Sequence, residues 1–292
     1  MKNGNIVFRK QINPVIFIMI VAVITIPLFL RPDIRFLVEN RWNQNSLSAE
    51  LESVNFNKNV LKSVPILDIT KGETDIVYNN TLCLVNNRYP IRDELPFKLV
   101  DYKDTGVLMD ESIVESYAEL SADVKKHVGD NLFVMSHYRN EQEQKYLYEE
   151  DNNTAALPGA SEHQTGLALD VYVKGYAGSG FLKSEAGQYV NKNSWKYGFI
   201  IRYPLFKKHI TGIRFEPWHI RFVGLPHSEI IYKEGLTLEE YISSLGVGNF
   251  YKYKNYYISR QEGDKLLIPY HLKEVMLSPD NTGCYIITGM LL

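Results

Sequence analysis

Two short stretches carry residues that could do chemistry together: Ser161-Glu162-His163-Gln164-Thr165-Gly166-Leu167-Ala168-Leu169-Asp170 and Glu216-Pro217-Trp218-His219. They offer two imidazoles, an aspartate and, in the second stretch, a glutamate. Imidazole nitrogen and carboxylate oxygen are common zinc ligands, and three protein ligands leave a fourth tetrahedral position open for chemistry. A spare carboxylate can then take a proton from the activated water. The pattern points to a hydrolytic Zn2+ site with His163, Asp170 and His219 as ligands and Glu216 as base.

A lone histidine more often sits on the surface or in a satisfied hydrogen bond, and the chain has seven. Spacing changes that estimate. Leu167, Leu169, Val171 and Val173 alternate with Ala168, Asp170 and Tyr172, the period of a half-buried strand. Asp170 then faces away from the leucine side, where a carboxylate is costly unless paired or bound to a cation. Gly166 lets the chain turn between His163 and that strand. Residues 213–223 read as a second strand, interrupted by Pro217, which cannot donate to a sheet ladder. On a regular strand Glu216 and His219 would face opposite sides; a kink at Pro217 would bring them to one site. Taken alone, Glu216 reads as a surface partner of Arg214 or Arg221.

The combination Ser-x-His-x-x-Gly-x-x-x-Asp followed by Glu-x-Trp-His resembles the zinc peptidases that include D-Ala-D-Ala dipeptidases and carboxypeptidases, lysostaphin-type enzymes and the Hedgehog signalling domain. The closer resemblance is to the VanY-type D,D-carboxypeptidases of glycopeptide resistance. It rests on residues 161–171, on the run from Trp195 to Pro204 and on the run from Glu216 to His227, and covers roughly residues 82–245. It implies that His163, Asp170 and His219 bind zinc and that Glu216 is the catalytic base. Ser136-His137-Tyr138-Arg139 with Gln144 resembles the family's Ser-x-Tyr-Arg…Gln segment. There the resemblance implies that Arg139 and Gln144 line the substrate cleft beside Ser136 and Tyr138, with Trp218 as a further substrate contact; a fixed guanidinium at Arg139 could act catalytically by stabilising the oxyanion, or grip a carboxylate. Ser161 would hydrogen-bond the substrate's terminal carboxylate. The residues alone read differently here: Arg139 as a structural partner of Glu141 or Glu143, and Ser161 as a turn serine.

The elements that must position these residues suggest an α+β fold, an antiparallel sheet with flanking helices. Ile113, Val114, Tyr117, Leu120, Val124 and Val128 recur at helical spacing, and Ser112 with Glu115 has the form of a capping box. Residues 131–136 read as a strand, Asn140 as a helix N-cap with Glu143 three residues on, and residues 185–197 as a helix ended by Gly198. A strand follows at 199–203. After Gly246 tyrosines crowd strand-like runs at 256–259, 266–270 and 285–288, which suggests a small β-rich appendage over 246–292. Its tyrosines form a small core or stack on cell-wall sugars.

At the other end, residues 12–30 are almost unbroken apolar, close to the ~20 residues that span a bilayer. Lys2, Arg9 and Lys10 precede them, so residues 1–11 are expected to stay in the cytoplasm. No Ala-x-Ala-like cleavage site follows, which favours one uncleaved transmembrane helix over a signal peptide. Residues 31–81 are polar without clear period and read as a stalk, unless 64–75 packs on the domain as an extra strand. This arrangement would place the catalytic domain, 82–245, on the extracytoplasmic side of a bacterial cell membrane.

Other functions fit less well. A net charge of −2 gives no basic footprint for nucleic acid. A His-Glu-x-x-His helix, a Gly-x-Ser-x-Gly elbow and the serine D,D-peptidase motifs are all absent. Cys83 and Cys284 permit one disulfide, which spacing cannot establish. The expected function is a zinc D,D-carboxypeptidase that removes the terminal D-Ala from peptidoglycan stem peptides ending D-Ala-D-Ala. The alternatives are an L,D-carboxypeptidase trimming tetrapeptides and a non-catalytic zinc-containing wall-binding module.

Overall fold

The computed structural model describes residues 31–92, 95–151 and 155–291. Helix α1 (Pro32–Asn45) precedes three short strands, β1 (Glu52–Val54), β2 (Leu61–Pro65) and β3 (Val77–Tyr78). Strands β4 (Leu99–Asp101) and β5 (Leu108–Asp110) lead to α2 (Val114–Val128), β6 (Phe133–Ser136) and α3 (Glu141–Glu150). Then come β7 (Ala168–Tyr172), α4 (Glu185–Asn193), β8 (Phe199–Tyr203), β9 (Glu216–Phe222), α5 (His227–Glu234) and α6 (Leu238–Ser244). Strands β10 (Phe250–Tyr253), β11 (Tyr256–Gln261), β12 (Lys265–Pro269), β13 (Leu272–Pro279) and β14 (Tyr285–Leu291) follow. The fold mixes helices with several sheets.

The sheet that matters for chemistry has four antiparallel strands in the order β6-β7-β9-β8. Its alternation is the one read from the sequence. Leu167, Leu169 and Val171 face α2 and α4, where they bury against Tyr117, Leu120, Val124, Ala186 and Val190. Each such side chain contributes roughly 1.5–3 kcal/mol of transfer free energy. With that face filled by apolar groups, Asp170 is left on the other. Helix α2 ends at Gly129 in the left-handed conformation. Its start differs from expectation, because Ser112 and Glu115 do not form the capping box. The helix has no side-chain cap; Asp110 instead caps the 3-10 turn Glu111–Ile113 that leads into it, accepting from the Ser112 amide at 3.0 Å and the Ser112 hydroxyl at 2.6 Å. The box at α3 does form, with Asn140 and Glu143 bonded reciprocally.

The stalk expected over 31–81 is corrected by the structure. A six-stranded sheet runs β1-β10-β11-β14-β13-β3, and β2 pairs with β12. Two of the N-terminal strands therefore form the edges of a sheet of C-terminal strands, and the third pairs with β12. The reason is apolar burial: Val64, Ile69 and Ile76 complete a core with Leu266, Ile268, Val275, Leu277 and Ile287. Helix α1 packs on α5, where the Tyr232 hydroxyl donates to Asn40 Oδ1 at 3.1 Å. The C-terminal β segment is thus half of a shared unit. Of its tyrosines, Tyr253 is buried and Tyr270 exposed. Cys83 and Cys284 are buried free thiols. The tail and apolar run at 1–30 lie outside the described residues. Among the described residues no helix is long and apolar enough to cross a membrane.

His227 ties α5, α6 and β14 together. Its Nδ1 lies 2.6 Å from the Tyr241 hydroxyl and its Nε2 2.9 Å from that of Thr288. Burial pulls its pKa down to about 3. The unfolded chain, with a histidine pKa near ~6.5, binds the proton that the fold excludes. The stability from neutral His227 is therefore full above the unfolded value and is lost as pH falls toward the folded one. In urea unfolding between about pH 7 and 4.5, the native sequence should lose up to about 1.4 kcal/mol per pH unit more than a His227→Gln variant. Equal slopes would refute this account.

Candidate active site

A short 3-10 turn, Glu162–Thr165, positions the first imidazole. The Thr165 hydroxyl donates to the Glu162 carbonyl at 2.6 Å and accepts from the Leu167 amide at 3.0 Å, closing the turn onto β7. Gly166 sits at φ 72°, and a Cβ there would lie 2.7 Å from both the Asp110 nitrogen and Leu99 Cδ2. Both the conformation and the space demand glycine. Strand β7 then sets Asp170 directly opposite His219 on β9.

The kink expected at Pro217 takes the form of a register shift. Tyr203 pairs with Glu216 and Ile201 with Ile220, so β9 holds extra residues against β8. Pro217, which lacks a donor, falls in that irregular stretch. The side chain of Asn191 on α4 donates to the Pro217 carbonyl at 2.8 Å and fixes the bulge. As a result Glu216 and His219 meet, with Oε2 4.0 Å from Nδ1.

Three donors converge. One atom each from His163, Asp170 and His219 lies within 4.8 Å of the others. His163 Nε2 is 3.4 Å from Asp170 Oδ2, and His219 Nδ1 is 3.0 Å from Asp170 Oδ1. Yet His163 Nε2 and Asp170 Oδ1 are buried with no aligned hydrogen-bond partner. Buried polar atoms are rarely left so, and lone pairs that converge without protons to share are what a cation satisfies. His163 Nδ1 faces the His137 carbonyl at 2.9 Å, an atom that can only accept. Nδ1 therefore carries the proton and Nε2 presents its lone pair inward. The donor set of two imidazoles and one carboxylate is that of a three-ligand zinc site.

The electrostatics of the cluster follow from burial and paired charge. Burial would raise the Asp170 carboxyl, but His163 and His219 outweigh it and hold the group far below the usual range. Burial lowers the pKa of His163. It acts to lower His219 too, but the adjacent Asp170 and Glu162 carboxylates raise that ring to about 9, so a metal binding there would displace a proton from it. Burial raises the Glu216 carboxyl above its ordinary value, as a general base requires.

Arg139 organises the neighbouring wall. Its Nε donates to Gln144 Oε1 at 3.1 Å, Nη1 to the Ser136 hydroxyl at 2.8 Å, and Nη2 reaches the Ser161 hydroxyl at 3.4 Å. Gln144 is held in turn by the Ala156 carbonyl at 2.7 Å. The guanidinium pairs with neither Glu141 nor Glu143. The Tyr138 amide donates to the Leu108 carbonyl at 3.0 Å. Trp218 is not brought into the cluster; it packs against the main core beneath the sheet.

Sequence reasoning missed four neighbours. Tyr203 lies on β8, its ring 4.8 Å from that of His219. Glu162, Arg202 and Arg221 are fully buried beside the ligands, and Glu162 Oε1 accepts from Arg202 Nε at 2.7 Å and Arg221 Nη1 at 2.6 Å. The available signal was a charged residue inside each of two hydrophobic strands, which burial permits only with a partner. An apolar cleft of about 650 Å³ between α1 and β8 contains none of the site residues.

Gly166 supplies a direct test of this construction. A Gly166→Ala variant should lose about 1–3 kcal/mol of stability in chemical unfolding from its left-handed φ alone. It should also bind divalent metal more weakly, because His163 and Asp170 flank the displaced turn. Unchanged stability and metal affinity would show that the turn does not set the ligands.

Comparison with known proteins identifies the family. The family description for D-alanyl-D-alanine carboxypeptidase, VanY, matches residues 106–225. A D-alanyl-D-alanine carboxypeptidase of Enterococcus faecium is 35% identical over 237 residues, covering 73% of this chain and 76% of the relative. The crystal structure of a vancomycin-resistance D,D-pentapeptidase VanY in complex with Zn(II) is 33% identical, with a TM-score of 0.50 over 56% of this chain and 98% of that one. The LD-carboxypeptidase LdcB is also 33% identical, with a TM-score of 0.51 over 55% of this chain and 84% of that one. By these matches the chain belongs to the VanY family of D-alanyl-D-alanine carboxypeptidases, a family of hydrolases.

Proposed function

We propose that this protein is a zinc-dependent D,D-carboxypeptidase that removes the terminal D-Ala from peptidoglycan stem peptides ending D-Ala-D-Ala. The observation that carries this reading is the convergence of His163, Asp170 and His219, with Glu216 Oε2 4.0 Å from His219 Nδ1. The VanY relative that binds Zn(II) supports the choice of metal.

The chain's residues divide the work. Arg139, held by Ser136 and Gln144, grips the substrate's terminal carboxylate together with the Ser161 hydroxyl. His163, Asp170 and His219 would hold a zinc ion, which when bound would supply Lewis acidity for the scissile carbonyl and lower the pKa of water toward ~7. Glu216, raised by burial, accepts the proton of the attacking water and delivers it to the leaving amine. Water adds across the amide bond, releasing D-Ala and a peptide one residue shorter. Loss of that residue would deplete the target of glycopeptide antibiotics. Residues 12–30 would anchor the chain in the membrane with the catalytic domain outside.

The test is a product assay with zinc and paired substrates. A pentapeptide ending D-Ala-D-Ala should release a single D-Ala, and a tetrapeptide ending in one D-Ala should release little. Preferential cleavage of the tetrapeptide would establish the L,D-carboxypeptidase reading, which the likeness to LdcB supports. Glu216→Ala should keep zinc and lose hydrolysis by at least about a hundredfold. Full hydrolysis in that variant would refute the mechanism, and an inactive native chain with zinc bound would favour the wall-binding module.

A further inference from the structure

The two imidazoles of the site are oriented by different means. His163 turns its outer nitrogen to a backbone carbonyl. His219 turns its outer nitrogen, Nε2, toward Glu162 Oε2 at 3.7 Å. Both atoms are buried, and neither has another hydrogen-bond partner. The other carboxylate oxygen, Oε1, is occupied by Arg202 and Arg221. Arg202 is fixed in turn by Glu239 through contacts of 2.9 and 2.7 Å, and Arg221 by the Thr81 and Cys83 carbonyls at 3.0 and 2.9 Å. Glu162 is thus clamped on one edge and aimed at His219 with the other.

We infer that Glu162 is a positioning residue that fixes the tautomer of His219, holding the proton on Nε2 so that the Nδ1 lone pair is free for the metal. This deepens the zinc reading proposed above and rests on it. The physical argument is one of lone pairs. A neutral imidazole carries its proton on one nitrogen only. With the proton on Nδ1, the Nε2 lone pair would face a buried carboxylate oxygen at 3.7 Å, two acceptors opposed in a site closed to water. With the proton on Nε2, that contact becomes attractive, and the Nδ1 lone pair and Asp170 Oδ1, 3.0 Å apart, are the two acceptors that a cation between them would reconcile. A carboxylate behind a histidine ligand both orients the ring and raises its basicity. Glu162 is next in sequence to His163, so one short turn delivers a ligand and the orienter of the other ligand.

Replacement by glutamine reverses the effect rather than merely weakening it. In Glu162→Gln the amide oxygen must stay with the two arginines, which only donate. The NH2 group then faces Nε2 of His219, donates to it, and drives the proton to Nδ1, where metal should bind. Zinc affinity of the full chain, measured by competition with a chelating dye, should fall about ten- to a hundredfold. Glu162→Asp keeps the charge for the arginines but withdraws it from the ring, and should also bind zinc more weakly. Nitrogen-15 spectra of histidine-labelled, zinc-loaded native protein should show a slowly exchanging Nε2–H on His219 and metal at Nδ1. Absence of that proton would overturn the inference without any variant, even if both variants failed to fold. Native zinc affinity, within twofold, in a folded Glu162→Gln or Glu162→Asp variant would overturn it while leaving the zinc reading intact. A native chain that takes up no zinc would overturn both.

Discussion

The structure turns on a buried charge cluster beneath the catalytic face. Glu162, Arg202 and Arg221 are excluded from solvent, and Glu239 is nearly so. Desolvating each ion costs several kcal/mol, which only close pairing and full hydrogen bonding can offset. Burial would raise the Glu162 carboxyl, but Arg202 and Arg221 outweigh it and keep it ionised. The cluster joins the ligand-bearing turn to β8, β9, α6 and the loop at Thr81–Cys83. Removing one member of such a set strands the charge of the rest. That makes the cluster a constraint on register: β8 and β9 must present Arg202 and Arg221 to the same oxygen, and once they do, the bulge at Pro217 sets Glu216 beside His219.

Much of the site was legible because its chemistry conflicts with its surroundings. Asp170 interrupts an alternating apolar strand, Pro217 interrupts another, and Gly166 stands where only glycine fits between Asp110 and Leu99. Each departure from the local pattern marked a position with a special task. Glu162 was not legible in the same way. It sits in a polar turn, where a glutamate reads as exposed, and nothing in the turn itself reports burial. Arg202 and Arg221 did carry the signal, each enclosed by apolar residues, but Arg221 read equally well as a surface partner of Glu216. Trp218 shows the converse limit. The family resemblance suggested the cleft, whereas the strand packs it against the core.

The fold divided along a similar line. Helices and strands between residues 113 and 223 follow periodicities that local sequence contains. The segment before residue 82 has none, because each of its strands is only two to five residues long. Such strands are defined by what they pair with: β1 by β10, β2 by β12 and β3 by β13, all some two hundred residues away. A polar stretch with scattered Val and Ile is indistinguishable from a linker until its partner is known. The boundaries drawn at 82 and 246 follow composition, but the mechanical unit crosses both.

The same principle of saturated donors bears on what Arg139 can do in the proposed reaction. A guanidinium has five N–H groups. Here Nε is spent on Gln144 and one Nη1 hydrogen on Ser136, while the contact of Nη2 with Ser161 is long at 3.4 Å. The edge that remains is the one beside the Ser161 hydroxyl. An edge of that kind, with a hydroxyl alongside, matches a planar carboxylate better than a single oxygen atom. It lies next to the metal ligands, since the Arg139 amide itself donates to the His163 carbonyl at 3.2 Å. Within the proposed reaction Arg139 is therefore better placed to grip the carboxylate of the departing residue than to act at the scissile carbonyl, where a bound metal would supply the charge. That division makes the free C-terminus of the substrate the measure of which bond is cut, and it accounts physically for a carboxypeptidase rather than an endopeptidase.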